Sequence, residues 1–329
     1  MKTSVLIIAY NRPNLLKNLL RNPNLNFRTV YIAIDGAKDN NQEELKLVES
    51  CKRVASEFKL SRVTFKTELK FQNVNKGISK AVISAINWAF ESEEALIIIE
   101  DDILPSKDFF FYMDYYLSLF QLDKKIWHIS GHNPNPRTKK LKYPYLSIFP
   151  MIWGWGTWKD RWALYDPKLI FSPNPFPVTL QSYIPGQILE AEFTEYWENR
   201  ILRIRNGFNT WDVQWGLSMW RQRAFAIMPS VNLTLNKGIG SEATNTRGRT
   251  VFNVKKNFSG KKLRLIPNNL IQNEWQDVVT WKYVFGRTNQ MSLYWRAYIK
   301  FYKKCIESIE RFNSHYFSKL LLKKISKIQ

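Results

Sequence analysis

Short apolar runs alternate with amphipathic segments along the chain. Runs rich in β-branched or aromatic residues predict strands at 3–10, 29–34, 62–65, 95–99, 126–130 and 224–228. Apolar residues at helical spacing predict helices over 13–20, 45–54, 82–90, 108–120 and 185–221. A turn at 75–79, with Ser79 as the capping residue, is expected before the third helix. Strands that alternate with helices indicate a parallel, doubly wound α/β sheet.

The most informative of these strands ends in three consecutive acids. Residues 95–99 are apolar, Glu100, Asp101 and Asp102 follow, and Pro105 comes three residues later. Ligands of open α/β sheets bind at the carboxyl ends of strands. Three carboxylates at such an end repel each other, and a divalent cation with an anionic ligand offsets that repulsion. The alternative is a solvated acidic turn.

Several protein classes lose support from the sequence. No glycine-rich loop follows the first strand, which disfavours dinucleotide-dependent oxidoreductases and kinases. No apolar run is long enough for a membrane span, and the apolar start is too short for a signal peptide. The two cysteines, Cys51 and Cys305, lie far apart, so neither a disulfide framework nor a zinc site is indicated. A reducing cytoplasm is the expected location.

The net charge of +21 calls for an anionic partner or surface. Basic residues are concentrated at 246–265 and 294–329, and the composition changes near 265. We therefore expect one domain over 1–265 and a basic, mainly helical extension over 266–329. The extension mixes apolar and basic residues, which suits peripheral docking on the anionic inner face of the cytoplasmic membrane. The alternative is a helix packed on the domain.

Tryptophan is abundant, with 13 in the chain, and several lie at 149–158. Glycines between the indoles of Trp153, Trp155 and Trp158 are typical of backbone packed close to a flat, partly polar ligand such as a sugar. Placement of these side chains in the core is an equally good interpretation.

Six ordered blocks resemble the GT-A fold of nucleotide-sugar glycosyltransferases. Within that fold they are most similar to N-acetylglucosaminyltransferase I and related bacterial enzymes of surface-polysaccharide synthesis. The blocks are IAYNR at 8–12, IDG at 34–36, IEDD at 99–102 with DFF at 108–110, ISGHN at 129–133, FPMIWGWG at 149–156 and WD at 211–212. The resemblance implies a mostly parallel central sheet flanked by helices.

The resemblance also implies roles for the acids and for one arginine. Asp102 would hold Mn²⁺ or Mg²⁺, and Glu100 and Asp101 would face the sugar and the ribose. Arg12 would meet the diphosphate, and Asp35 would lie near the nucleoside. The alternatives are a surface arginine at a helix start and a common Asp-Gly turn.

Asp212 occupies the position that the family gives to its general base. Relatives often have a second acid next, and here that residue is Val213. Asp212 could instead cap its helix or pair with Arg221 or Arg223, and Glu242 is the rival base.

Three further polar residues have open roles. His128 is expected in the core, His132 on the acceptor side, and Lys76 in a solvated turn.

The implied activity is metal-dependent, inverting transfer of a sugar from a nucleoside diphosphate donor, with UDP expected. The acceptor would be a hydroxyl of a glycan or of a lipid-linked molecule. Two alternatives are a nucleotidyltransferase on a related fold, which would want a glycine-rich opening motif, and a basic nucleic-acid-binding protein. No nucleic-acid-binding motif appears, so nucleic acid is not expected as a partner.

Overall fold

A computed structural model of the chain describes residues 2–39, 41–62, 64–134, 141, 143–169, 187–238, 265, 270–281 and 285. The chain divides into two compact units, Met1–Val284 and Phe285–Gln329. The predicted basic extension beyond Phe285, most of the basic stretch at 246–265 and the rival base Glu242 lie outside the described residues. The boundary expected at 265 therefore stays a prediction.

The first unit is built on an eight-stranded sheet with the order β3-β2-β1-β4-β8-β6-β9-β7. Its strands are β1 Ser4–Ala9, β2 Val30–Ile34, β3 Thr67–Phe71, β4 Ala95–Glu100, β6 Ile126–Ser130, β7 Tyr145–Ser147, β8 Trp155–Trp158 and β9 Phe225–Met228. A separate antiparallel pair joins β5 Ile103–Pro105 to β10 Thr234–Asn236.

The helices connect these strands as the alternating pattern predicts. They are α1 Pro13–Leu20, α2 Gln42–Leu60, α3 Ile78–Ala89, α4 Phe109–Leu119, α5 Lys159–Trp162, α6 Gln187–Arg205, α7 Asp212–Arg221 and α8 Glu274–Thr280. None of the helices in the described ranges is long and apolar enough to cross a membrane.

The predicted α/β architecture is confirmed, with β3, β2, β1 and β4 pairing in parallel. Both faces of β1 and β2 are buried, which explains their continuous apolar sequences. β8 then enters the sheet antiparallel to both β4 and β6. The acidic end of β4 is thereby held between the parallel half and an antiparallel strand.

Three local predictions were wrong. The third strand is Thr67–Phe71 and not 62–65. The Arg62 guanidinium donates a hydrogen bond to the Leu25 carbonyl at 2.8 Å, and this bond holds the start of the predicted strand in a loop. The cap of α3 is Gly77 with φ of 75°, and Ser79 already lies inside the helix. The helix expected over 185–221 is two helices, because the chain turns at Gly207, whose φ is +91°.

Aromatic side chains fill the space between β8, α5 and α7. Trp155 and Trp158 are almost fully buried, so for these two residues the core interpretation applies. Trp155 packs within 5.6 Å of both Trp211 and Trp215, measured between ring centroids. This packing fixes the start of α7 against the sheet.

Asp277 joins α8 to the edge strand β7. Its buried carboxylate accepts hydrogen bonds from the Ser147 hydroxyl and, at 3.2 Å, from the Gln272 amide. Burial raises the pKa of Asp277 to about 7. The folded chain therefore keeps a proton that the unfolded chain releases once the pH exceeds the ordinary value of 3.8.

We predict that this proton makes stability fall as the pH rises from about 4 to 7, by up to about 1.4 kcal/mol per unit. Asp277→Asn, which cannot ionise, should lose this part of the slope. Urea denaturation at several pH values measures it, with the exposed Asp123→Asn as the matched control. Equal slopes in both variants would show that Asp277 is ionised in the folded chain.

Candidate active site

The acidic triplet lies where the predicted sheet places it. Glu100 ends β4 and pairs in register with Ile8 of β1, and the Asp101 amide donates to the Ile8 carbonyl at 3.0 Å. Asp101 and Asp102 are only 6% and 8% exposed, which excludes a solvated acidic turn. Burial of adjacent carboxylates demands compensating positive charge.

Arg12 supplies part of that charge. β1 ends at Ala9 and Pro13 begins α1, so Arg12 lies beside the end of β4. Its Nη1 donates to Asp102 Oδ2 at 2.7 Å and to Asp101 Oδ1 at 3.2 Å. The Tyr10 amide donates to Asp101 Oδ2 at 3.2 Å. Arg12 therefore pairs with the acids at the end of β4 and is not a free surface arginine.

One arginine does not neutralise three acids. Burial, followed by the charges of Asp102 and Asp101, raises the pKa of Glu100 to about 8. Burial and the charge of Asp102 raise the pKa of Asp101 to about 7, although Arg12 opposes the shift. The pKa of Asp102 is also raised, chiefly by burial. The site thus favours an additional positive charge.

Asp102 carries the clearest unfilled position. Its Oδ1 is buried and has no hydrogen-bond partner among the residues that the structure describes, whereas its Oδ2 bonds Arg12. The segment after β10 lies against it, since the Lys237 amide donates to the Asp102 carbonyl at 2.8 Å. A Cβ on Gly238 would come within 2.2 Å of Asp102 Oδ2, so only glycine fits there.

These residues fit a hard divalent cation that brings most of its own ligands. A carboxylate oxygen is the donor type that Mg²⁺ and Mn²⁺ prefer, and such ions are often held by one or two carboxylates plus phosphate oxygens. Across the described ranges no group of three or more His, Cys, Asp or Glu side chains could hold a metal. The acid whose oxygen is left open, Asp102, would be the protein ligand of such an ion.

Asp35 lies at the end of β2 and closes the turn before α3. Its carboxylate accepts the Gly36 amide at 3.0 Å and the Lys76 amide at 3.0 Å. Burial raises the pKa of Asp35, although these backbone donors oppose the shift. Lys76 contributes its backbone to this bond.

A cavity adjoins Asp35 at the carboxyl ends of β1, β2 and β3. Four alanine side chains leave the space open, and Lys70 and Gln72 add polar groups. Its lining is Ile8, Ala9, Ala33, Ile34, Asp35, Lys70, Gln72, Ala81 and Ala85.

Asp212 is the first residue of α7 and reaches the same site electrostatically. Its charge contributes to the raised pKa of Glu100, after burial and nearer charges. The Thr210 hydroxyl donates to Asp212 Oδ1. Within the described part of the chain it forms no ion pair with Arg221 or Arg223, the structural alternative for this acid.

The GNT-I family model matches residues 2–172, which is just over half of the chain. The chain belongs to the GNT-I family. This family is that of N-acetylglucosaminyltransferase I, a family of glycosyltransferases. The family resemblance drawn from the six sequence blocks is thereby confirmed.

Among other sequences and structures the likenesses are weak. No curated protein sequence matches this GNT-I family chain. Mannosyltransferase PcManGT from Pyrobaculum calidifontis, in complex with GDP-Man and Mn²⁺, is 13% identical with a TM-score of 0.35; the match covers 49% of this chain and 45% of that one. UDP-glucose pyrophosphorylase complexed with UDP-glucose is 12% identical with a TM-score of 0.27, covering 50% and 79%. Neither likeness is close enough to bear on function.

In this GNT-I family chain the two histidines near β6 have different surroundings. His128 is a core residue, as expected: its Nε2 contacts the Met151 carbonyl at 3.1 Å, and the Trp215 indole donates to its Nδ1 at 3.1 Å. His132 is also buried, and it packs on half-buried Trp153 with ring centroids 4.5 Å apart.

Asn209, which joins two parts of the site, could not be found from the sequence pattern. Its Oδ1 accepts the Ser79 amide at 3.0 Å and so caps α3, which has no side-chain cap of its own. Asp35 holds the turn before α3 by accepting the Lys76 amide. Asn209 lies three residues before Asp212, so its bond to Ser79 joins the Asp35 region to the Asp212 region. The close approach of Gly238 to Asp102 could not be found from the sequence either.

We predict that Asn209→Ala lowers the kcat of sugar transfer about fivefold, because one hydrogen bond of about 1 kcal/mol holds the loop before Asp212. Asn209→Asp keeps an oxygen acceptor at the helix start and should restore kcat. Initial rates and the melting temperature of each variant are the measurements. A melting temperature that falls while kcat stays constant would reduce Asn209 to a purely structural residue.

Proposed function

We propose that this chain is a metal-dependent, inverting glycosyltransferase. It moves a sugar from a nucleoside diphosphate sugar, with UDP as the expected nucleotide, to a hydroxyl of a glycan or lipid-linked acceptor. The observation that carries the proposal is the unpartnered, buried Oδ1 of Asp102 within the acidic cluster that Arg12 only partly neutralises.

The donor diphosphate is assigned to the end of β4. When bound at Asp102, Mn²⁺ or Mg²⁺ would neutralise the charge that develops on the leaving diphosphate. Arg12 is close enough to Asp101 and Asp102 to contact the same phosphate oxygens. Glu100 and Asp101 would then accept hydrogen bonds from hydroxyls of the sugar and ribose. Burial of the two aspartates excludes bulk water from this end of the strand.

The nucleoside is assigned to the surface over the carboxyl ends of β1, β2 and β3 beside Asp35, of which the cavity is one small part. The cavity is lined by small apolar side chains at the carboxyl ends of three parallel strands. The Asp35 carboxylate is fixed by two backbone amides and can accept a hydrogen bond from a ligand. Tyr10 links the two regions, because its amide bonds Asp101 and its hydroxyl senses Asp35: burial, then Glu44, and to a smaller extent the charge of Asp35 raise the pKa of that hydroxyl.

Asp212 is assigned as the general base. It would take the proton of the acceptor hydroxyl as that oxygen attacks the anomeric carbon from the face opposite the diphosphate. This single displacement inverts the anomeric configuration and needs no covalent intermediate. The Thr210 hydroxyl and the buried Trp211 hold the carboxylate at the helix start.

The setting of the reaction is also proposed. Assembly of bacterial surface polysaccharide at the cytoplasmic membrane would suit the excess of basic residues in the C-terminal stretch. Binding of liposomes with and without anionic lipid, by the whole chain and by the chain ending at residue 293, tests this placement. Equal binding by both forms would remove the role given to the extension.

A donor panel tests the proposed activity. The whole chain is incubated with UDP-, GDP-, CDP- and dTDP-sugars, with Mn²⁺ or with EDTA, and the released nucleotide is measured. We expect turnover of a UDP-sugar that Mn²⁺ supports and EDTA abolishes. Turnover of no sugar nucleotide, or turnover that EDTA leaves unchanged, would count against the proposal.

A further inference from the structure

Beyond the acids, the same edge of the fold carries buried polar side chains without charge. They follow β6 and β9 or belong to β10, and each is at most 7% exposed. The group consists of His132, Asn133, Ser230, Asn232, Thr234 and Asn236. A buried polar cluster is stable only where its members find partners, so an incomplete one marks a position for a ligand.

His132 is the incomplete member. It is 3% exposed, and within the described residues neither of its ring nitrogens has a partner at hydrogen-bond distance. Burial lowers its pKa to about 3, although the neighbouring Asn232 side chain opposes the shift, so the imidazole is neutral at physiological pH. A neutral imidazole has one donor nitrogen and one acceptor nitrogen, and leaving both unpaired costs stability.

A continuous framework connects His132 with the acidic site. The Thr234 hydroxyl donates to the Trp153 carbonyl at 2.8 Å, and Trp153 packs on the imidazole. Thr234 begins β10, and Asn236 at the end of β10 pairs with Ile103, the residue that follows Asp102. The strand pair β5–β10 therefore connects the uncharged polar cluster to the acidic site.

We propose that His132 is the centre of a sugar-binding subsite and that it hydrogen-bonds a hydroxyl of a neutral pyranose. This inference rests on the proposed function, because it assumes that sugars are the molecules handled at this edge. A pyranose carries several hydroxyls that can each donate or accept, so one can accept from the imidazole N–H and another can donate to the second nitrogen. The six polar side chains carry no charge, so they offer a phosphate or a carboxylate no ion pair.

The imidazole is covered in the ligand-free chain, so contact with a sugar requires a local rearrangement. Trp153 is the half-buried neighbour that packs on it, and we expect this side chain to move. The sugar has two possible sources, the acceptor and the sugar of the donor nucleotide.

The test uses the whole chain with UDP and Mg²⁺. Binding of the methyl pyranosides of glucose, galactose, mannose and N-acetylglucosamine is measured by saturation-transfer NMR for the wild type, His132→Phe and His132→Gln. Phenylalanine keeps a ring against Trp153 without nitrogens, and glutamine restores one donor and one acceptor. In parallel, calorimetry compares the affinity for each UDP-sugar with the affinity for UDP.

We expect the wild type to bind at least one pyranoside, His132→Phe to bind it about tenfold more weakly, and His132→Gln to recover part of the loss. The ligand-free His132→Phe should melt no lower than the wild type, because it removes two unpaired buried nitrogens. If His132→Phe lowers the affinity for the UDP-sugar relative to UDP but leaves pyranoside binding unchanged, the subsite belongs to the donor sugar.

Three results would overturn the proposal. The first is binding of both pyranosides and UDP-sugars by His132→Phe equal to that of the wild type, and the second is no sugar binding by the wild type. The third is a lower melting temperature of His132→Phe with normal sugar binding, which would make His132 a structural residue that bonds an ordered water. Mn²⁺-dependent donor turnover by the wild type is also measured without acceptor. If turnover is present while sugar binding fails as above, only the subsite is refuted; if turnover is absent, the proposed function fails.

Discussion

Asp102→Asn is expected to lose at least about 100-fold in Mn²⁺-dependent donor turnover, because Asp102 is the only acid here assigned to the metal. The loss should appear with or without an acceptor, since the diphosphate would leave without charge compensation. Nucleotide release from the best UDP-sugar, measured at saturating Mn²⁺, is the readout.

Folding provides the control for this variant. Asp102 raises the pKa of Glu100 and of Asp101, so its removal relieves repulsion in the ligand-free chain, and Arg12 retains Asp101 as a partner. The melting temperature should stay within roughly 3 °C of the wild type. Asp123→Asn, an exposed substitution of the same kind, should leave turnover unchanged. Full turnover by Asp102→Asn would refute its role as the metal ligand.

Asp212→Asn is expected to separate donor binding from transfer. An amide cannot take the acceptor proton, so the kcat of transfer should fall about 10²–10⁴-fold. The affinity for the UDP-sugar with Mg²⁺ should stay within about twofold, because Asp212 reaches Glu100 only through its charge. Transfer rates and calorimetry of donor binding give the two quantities.

The same experiment decides between the two candidate bases. Glu242→Gln should transfer at the wild-type rate if Asp212 is the base. Normal transfer by Asp212→Asn together with slow transfer by Glu242→Gln would move the assignment to Glu242. Thr210→Val, which removes only the hydroxyl donated to Asp212, should have an intermediate effect.

The sequence predicted those features that depend on one strand and the residues next to it. The run before Glu100 is apolar on both faces and ends in acids, so the buried strand and the acids at its end could be predicted. The position of Arg12 between β1 and α1 could be predicted because Pro13, the next residue, begins a helix.

Features that depend on distant parts of the chain could not be predicted in the same way. The antiparallel entry of β8 beside β4 is set by pairing with residues about sixty positions away. The bond between Asn209 and Ser79 joins residues 130 positions apart. The third strand was misplaced because Arg62–Phe65 has strand-forming residues, whereas tertiary bonds of Arg62 hold it in a loop.

The central claim is that the acids at the end of β4 hold a divalent cation together with a diphosphate. Electron paramagnetic resonance of Mn²⁺ titrated into the whole chain, with and without UDP, tests it most directly. The account predicts that UDP markedly tightens Mn²⁺ binding in the wild type and in Asp123→Asn, and that Asp102→Asn loses this effect. The same UDP-dependent Mn²⁺ binding in Asp102→Asn would contradict it.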